Sequence, residues 1–178
     1  MNVIKQAASS PEGSTWLSPL LLGLFAFLLY SNTLQHGYVL DDQIVITENP
    51  YVQEGLSGIG DIFTTDPLTV FLNNEESMVQ GGRYRPLSIA TFAVEQELAG
   101  GSPALSHTVN ALLYALLVVL LFNFLRSIGN LGRGTPFFLA PAFIMALLFA
   151  VHPVHTEVIA NIKGRDEIMT MFGSLAAR

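Results

Sequence analysis

Apolar residues along this chain gather into long runs separated by polar segments, instead of alternating or recurring at short amphipathic spacing. The first run lies in a stretch without charge from Gly13 to Gln35, with its core from Trp16 to Tyr30. About 20 helical residues cross the hydrocarbon of a bilayer, so a spanning helix is predicted over 13–35. A cleaved signal peptide is the rival reading, with Lys5 as its basic start. It is disfavoured because no A-x-A-like site follows Tyr30 and further long apolar runs come later. The second run, Leu98 to Leu125, carries no Asp, Glu, Lys or Arg and is densest from Ala111 to Phe122, predicting a second span over 105–125. A third is predicted over 136–151, opened by Pro136 and kinked by Pro141. After polar residues His152 to Glu167, apolar residues resume at Ile168 and run toward Arg178, which reads as a fourth helix begun over 168–178. The expectation is an all-α polytopic membrane protein with about three complete transmembrane helices and a truncated fourth, the amino-terminal piece of a longer chain.

Composition agrees with the pattern. Of 178 residues, 51% are apolar and 12% charged, against about 25% charged in soluble domains, and mean hydropathy is +0.47. The absence of cysteine excludes a disulfide framework, a thiolate nucleophile and a zinc ribbon. A net charge of −6, with its eight cations scattered, disfavours nucleic acid as a partner.

Charge also orients the chain. The connection over 126–135 holds Arg126 and Arg133 and no acid, which the positive-inside rule places in the cytoplasm together with the amino terminus over 1–12. The segment over 36–104 then faces outward. It holds ten acids (Asp41, Asp42, Glu48, Glu54, Asp61, Asp66, Glu75, Glu76, Glu95, Glu97) against Arg83 and Arg85. The polar segment over 152–167 faces outward too, so two non-adjacent segments meet on one face of the bilayer. About 70 residues without structure would be unusual, and long ordered loops commonly carry function. Short interfacial helices are expected in this loop, one over Gly55–Phe63 and a proline-initiated one over Pro86–Leu98, with Asn73–Ser77 as a solvated turn.

Three constellations carry candidate chemistry. Asp41 and Asp42 sit just past the first span. Adjacent carboxylates near a low-dielectric interface resist double ionisation, so one can serve as a general base. A divalent metal held by oxygen ligands is a second reading, and a solvated pair marking the helix exit a third. His152, His155 and Glu157 follow the third span. The two histidines are three apart and would share a helix face, Pro153 permitting, as metal ligands, as substrate-positioning groups or as imidazoles bonded to backbone carbonyls. Lys163, Arg165, Asp166 and Glu167 read either as interfacial charges opening the next helix or, as ionisable groups at the mouth of a helical bundle, as functional candidates. Arg83 and Arg85, in Gly81-Gly-Arg-Tyr-Arg-Pro-Leu87, are the only Lys or Arg in the first outer loop and form either an anion clamp or a counterweight to its acids.

Taken in order, these motifs resemble a family. Tyr30-Ser-Asn-Thr, Gly37-Tyr-Val-Leu-Asp-Asp42, Tyr84-Arg-Pro-Leu87, His107-x-x-Asn110, Leu148-Phe-Ala-Val-His-Pro-Val-His-Thr-Glu157 and Gly164-Arg-Asp-Glu167 are similar to the transmembrane and tetratricopeptide-repeat O-mannosyltransferases and their bacterial relatives. The resemblance runs from about Ser31 onward. Its most specific part is the Phe149 to Glu157 run. Members are polytopic glycosyltransferases of the C superfamily that take sugar from a polyprenyl-phosphate carrier on the outer or lumenal face, with an acidic pair in the first outer loop. They have many more membrane helices, usually followed by helical repeats that bind the acceptor.

What the resemblance implies is a transferase moving a mannose-like sugar to an acceptor hydroxyl on protein Ser/Thr or a glycan. Asp41 or Asp42, by analogy Asp41, would take the hydroxyl proton. Arg85, helped by Arg83 or Arg165, would stabilise the departing lipid phosphate. His152, His155 and Glu157 would position donor or acceptor. A divalent metal remains open, because arginines alone can handle a lipid monophosphate. With no N-x-S/T sequon, a bacterial inner membrane is favoured over endoplasmic reticulum. Two other classes stay open: a transporter or channel subunit, disfavoured because no charge lies within the three spans, and a non-catalytic membrane anchor or assembly protein.

Overall fold

The structure, a computed structural model, describes residues 16–39, 41–65, 85–128 and 136–177. Arg83, Tyr84 and the Asn73–Ser77 turn lie outside the described residues. Every regular element described is helical: α1 Leu17–Leu29, α2 Pro50–Gln53, α3 Ile59–Thr64, α4 Pro86–Ala99, α5 Pro103–Ser127, α6 Pro141–Ala150, α7 His155–Ala160 and α8 Arg165–Ala176, with short 3-10 and π turns between them.

The 25-residue α5 is the axis of the fold. At about 1.5 Å per residue it is roughly 38 Å long, and among the described residues it is the one helix long and apolar enough to cross a membrane. The apolar helices α1 and α6 are shorter, at 13 and 10 residues. The first ends because the chain tightens into a 3-10 turn over Ser31–Gln35, where the Ser31 and Thr33 hydroxyls donate to the carbonyls of Leu28 and Tyr30. Pro141 starts α6 instead of kinking a helix over 136–151. Proline disfavours helical backbone in the residue before it and is tolerated at the first helical position, where its missing N–H has no partner to lose. Ala140 is accordingly extended, and the residues before it form a 3-10 turn over Phe137–Leu139.

Helices α1 and α6 both pack on α5 through small residues. Ala142, Ala146 and Ala150, four apart, are fully buried in α6, and Ala26 in α1. Such spacing lets helix backbones approach closely, which is how helices associate where lipid removes the hydrophobic drive. Gly23 belongs to the same contact, because a Cβ there would lie 3.1 Å from a Val119 methyl. Tyr30, Tyr114 and Phe122 fill the wider gaps.

The described parts of the segment over 36–104 form a cap with its own core of Ile46, Val52, Ile62, Ile89, Phe92 and Ala93, closed by Ile162 from the second polar segment. Both expected helices are present in it. The first is a 3-10 turn over Gly55–Gly58 running into α3, and the second is α4, opened by Pro86 and ended by Gly100 in left-handed backbone, φ 59°. The face that α4 buries explains its unclear stripe. Ser88, Ile89, Phe92, Ala93 and Glu95 point inward, whereas Leu87 and Val94 face out. Because Ala146 is fully buried in the core cluster, Ala146→Leu is expected to cost about 1–3 kcal/mol, read as a lower unfolding midpoint in detergent, while Leu148→Ala on the exposed side of α6 leaves that midpoint nearly unchanged.

Candidate functional site

The cap, the loop after α6 and the start of α8 converge on the amino-terminal third of α5, and the centre of that junction is Arg165. Its side chain is fully buried. Nε donates to Asn110 Oδ1 at 2.7 Å, Nη1 to Thr91 Oγ1 at 2.8 Å and to the Glu95 carboxylate, and Nη2 to the Ser106 carbonyl at 3.0 Å. The guanidinium also lies 4.3 Å from the centre of the Phe92 ring. Burial pulls its pKa below the ordinary arginine value, and the Glu95 carboxylate pulls it back up. Ser106 donates to Glu95 at 2.5 Å. Tyr38 lies 3.4 Å from Ser106, and burial raises its phenol above the ordinary value. Asn110 holds the second polar segment directly, donating to the Ile162 carbonyl at 3.1 Å. Gly164 is required beside it, since a Cβ would collide with the Val158 carbonyl.

The two aspartates are brought to this junction in different states. Asp42 is completely buried. One of its oxygens accepts from the Val39 amide at 3.2 Å and the other from the Lys163 amide at 2.8 Å, so it pins the first polar segment to the second across 121 residues of sequence. Asp42 leads into a π turn over Gln43–Thr47, a local form often found at functional sites. Asp41 has a side chain 54% exposed, with Lys163 Nζ at 2.6 Å. Arg85, 41% exposed, pairs with Asp166 at 2.6 Å on the same side.

The histidine motif is arranged differently from a shared helix face. Pro153 keeps His152 out of the helix, and α7 begins at His155. His152 accepts from the Val154 amide at 3.3 Å through Nδ1. His155 lies against Phe149, with ring centres 4.2 Å apart, and near Tyr114 and His152. Burial, and secondarily His152, lower its pKa from the ordinary 6.5. Glu157 is exposed in the first turn of α7. Among the described residues no group of three or more His, Asp or Glu side chains comes together to hold a metal. His107 is buried in α5, its ring edge-on to His36 at 6.1 Å.

Of the candidate cations, Arg85 and Arg165 come to one end of the fold, but only Arg85 reaches the surface, since Arg165 spends its donors on protein partners. Reasoning from sequence missed Glu95 as a member of the site and named Lys163 only among the ionisable groups at the mouth of the bundle, without a role. The signal for Glu95 was available, because Ser88, Phe92 and Glu95 fall on one helical face, where a single acid among buried positions calls for a partner.

Comparison with known proteins gives the chain a family context. It is 36% identical over 149 residues to human Protein O-mannosyl-transferase TMTC1, covering 84% of this chain and 16% of that protein. It is 33% identical over 157 residues to mouse Protein O-mannosyl-transferase TMTC4, covering 84% and 21%. With Protein O-mannosyl-transferase Tmtc3 of Drosophila melanogaster it shares 30% over 184 aligned positions, covering 96% and 19%. The chain thus spans about a fifth or less of the length of these relatives. No protein-family model matches the chain. No solved structure matches it either.

Two outcomes are expected from this geometry. Glu95→Leu strands a buried guanidinium and should cost about 3–5 kcal/mol; the double variant Glu95→Leu, Arg165→Met should recover a large part of it, read as unfolding midpoints of both. His155 takes up a proton less readily folded than unfolded. Its contribution to stability is therefore full above pH 6.5 and is lost as pH falls from 6.5 through the lowered folded value. His155→Phe, which keeps the ring on Phe149, should flatten that part of a pH-stability profile.

Proposed function

We propose that this chain, which belongs to the TMTC family of protein O-mannosyl-transferases over the part of their length that it matches, forms part of the catalytic site of a membrane glycosyltransferase. The enzyme moves a mannose-like sugar from a polyprenyl-phosphate carrier to an acceptor hydroxyl, on protein Ser or Thr. The chain is multi-pass, with spans over 13–35, 105–125 and 136–151 and a further one beginning in 168–178. Its loops over 36–104 and 152–167 lie on the outer face, and a bacterial inner membrane is the favoured setting. Support for that topology comes from the packing of both loops against the same end of α5, opposite Arg126.

One observation carries the reading: an exposed carboxylate, Asp41, is held beside a fully buried one, Asp42, where the two loops meet. In the reaction the acceptor oxygen attacks the anomeric carbon of the donor and its proton passes to Asp41. The bond from that carbon to the phosphate oxygen breaks, and the electron pair leaves on the polyprenyl phosphate. One displacement inverts the anomeric centre. Arg85, which reaches the surface, meets the growing phosphate charge. Arg83 was assigned the same task and lies outside the described residues. Arg165 acts through position, holding Asn110 and the second loop in place. His152, His155 and Glu157 orient donor or acceptor from the same end of the bundle. The metal-assisted alternative gains no support from the described side chains.

Membranes carrying the full-length protein should transfer mannose from a polyprenyl-phosphate donor to an acceptor protein. Asp41→Asn should reduce kcat by about 10²–10⁴, the range of a lost general base. Full activity in Asp41→Asn would remove the proposed base.

A further inference from the structure

We propose that Lys163 is a donor-phosphate ligand that also masks the base: its ammonium closes on Asp41 in the empty site and leaves it for the phosphate of the polyprenyl-phosphate sugar. The proposal rests on the transferase reading above. Lys163 is placed by its backbone. Its amide is held by buried Asp42 at 2.8 Å, and the following Gly164 is wedged against the Val158 carbonyl, so the start of its side chain is fixed.

Three observations lead to this assignment. First, of the Lys and Arg side chains described at this end of the fold, Arg165 is fully buried with Nε, Nη1 and Nη2 all donating to protein groups. The cations left for an incoming phosphate are Arg85 and Lys163. Second, Arg85 is engaged by Asp166, whereas Lys163 is engaged by the exposed carboxylate that accepts the proton. Third, the Lys163–Asp41 pair is partly open to solvent, with side chains 23% and 54% exposed. A phosphate, with more acceptor oxygens and more charge than one carboxylate, can compete for the ammonium of a pair that solvent reaches. A lysine suits an exchange of this kind better than an arginine, since it acts as a point charge on a flexible stem instead of a planar fork.

The consequence is an order of events. While Lys163 hydrogen-bonds Asp41, that carboxylate oxygen is occupied. Binding of the donor moves the ammonium to the phosphate, frees the oxygen for the acceptor hydroxyl, and leaves Lys163 beside the leaving group as its charge grows.

The test uses the full-length protein in nanodiscs and has two arms. In the first, binding of a polyprenyl phosphate without sugar is measured directly. Lys163→Met is expected to weaken it about tenfold or more, and Lys163→Arg to recover the greater part of the loss. The second arm measures transfer, where Lys163→Met is expected to raise the donor KM together with a fall in kcat/KM, at an unchanged unfolding midpoint because the backbone tie to Asp42 survives. Carrier binding unaltered by Lys163→Met overturns the proposal, as does a fall in kcat alone at constant donor KM. If wild-type protein transfers no sugar, the transferase reading falls. The binding arm still decides whether Lys163 is a phosphate ligand.

Discussion

A guanidinium cut off from water has to be answered by the protein around it, and the arrangement of one end of this molecule follows from how Arg165 is answered. Desolvating a charge costs several kcal/mol unless partners replace the water. Here the partners come from α4 (Thr91, Glu95) and α5 (Ser106, Asn110), while the arginine itself opens α8. Three helices from distant parts of the chain are therefore fixed in one register. Buried ion pairs are often no more stabilising than apolar residues of similar size. What this one supplies is specificity: the cap cannot slide on α5 without stranding a charge.

The register has a chemical consequence at the aspartate pair. Asn110, held by Arg165, holds the Ile162 carbonyl, and the next residue gives its amide to Asp42. This chain of contacts makes two neighbouring, chemically identical residues unlike each other. Asp42 becomes a buried tie between loops, with both oxygens on backbone amides, and Asp41 is left at the surface beside an ammonium. The difference comes from the contacts and not from the residues.

Similarity to TMTC protein O-mannosyl-transferases gives this arrangement a setting, and the fold shows how the matched portion is built. A long helix with small-residue contacts on two sides provides a post, and the cap, with its own core, mounts the acids on top of it. A cap of this kind can hold side chains more accurately than a bare loop could, because its backbone is fixed by buried Ile46, Val52, Ile62 and Phe92.

Much of this was written locally. Run length and charge content announced α5, proline and glycine marked both ends of α4, and the ten acids between Gln35 and Ala104 set that segment apart from the apolar runs. Those features depend on short-range backbone sterics and on the cost of leaving charge in an apolar medium, both of which act on a residue wherever it folds. The start of α6 at Pro141 also obeys a local rule, although the apolar run extends further back. Tertiary structure alone decided that Arg165 faces Glu95 across 70 residues, that Asp42 meets the Lys163 amide across 121, and that Asp41 keeps an exposed carboxylate. Burial and pairing are properties of three-dimensional neighbourhoods, and a string of residue types contains charges and spacings but no distances between its remote parts.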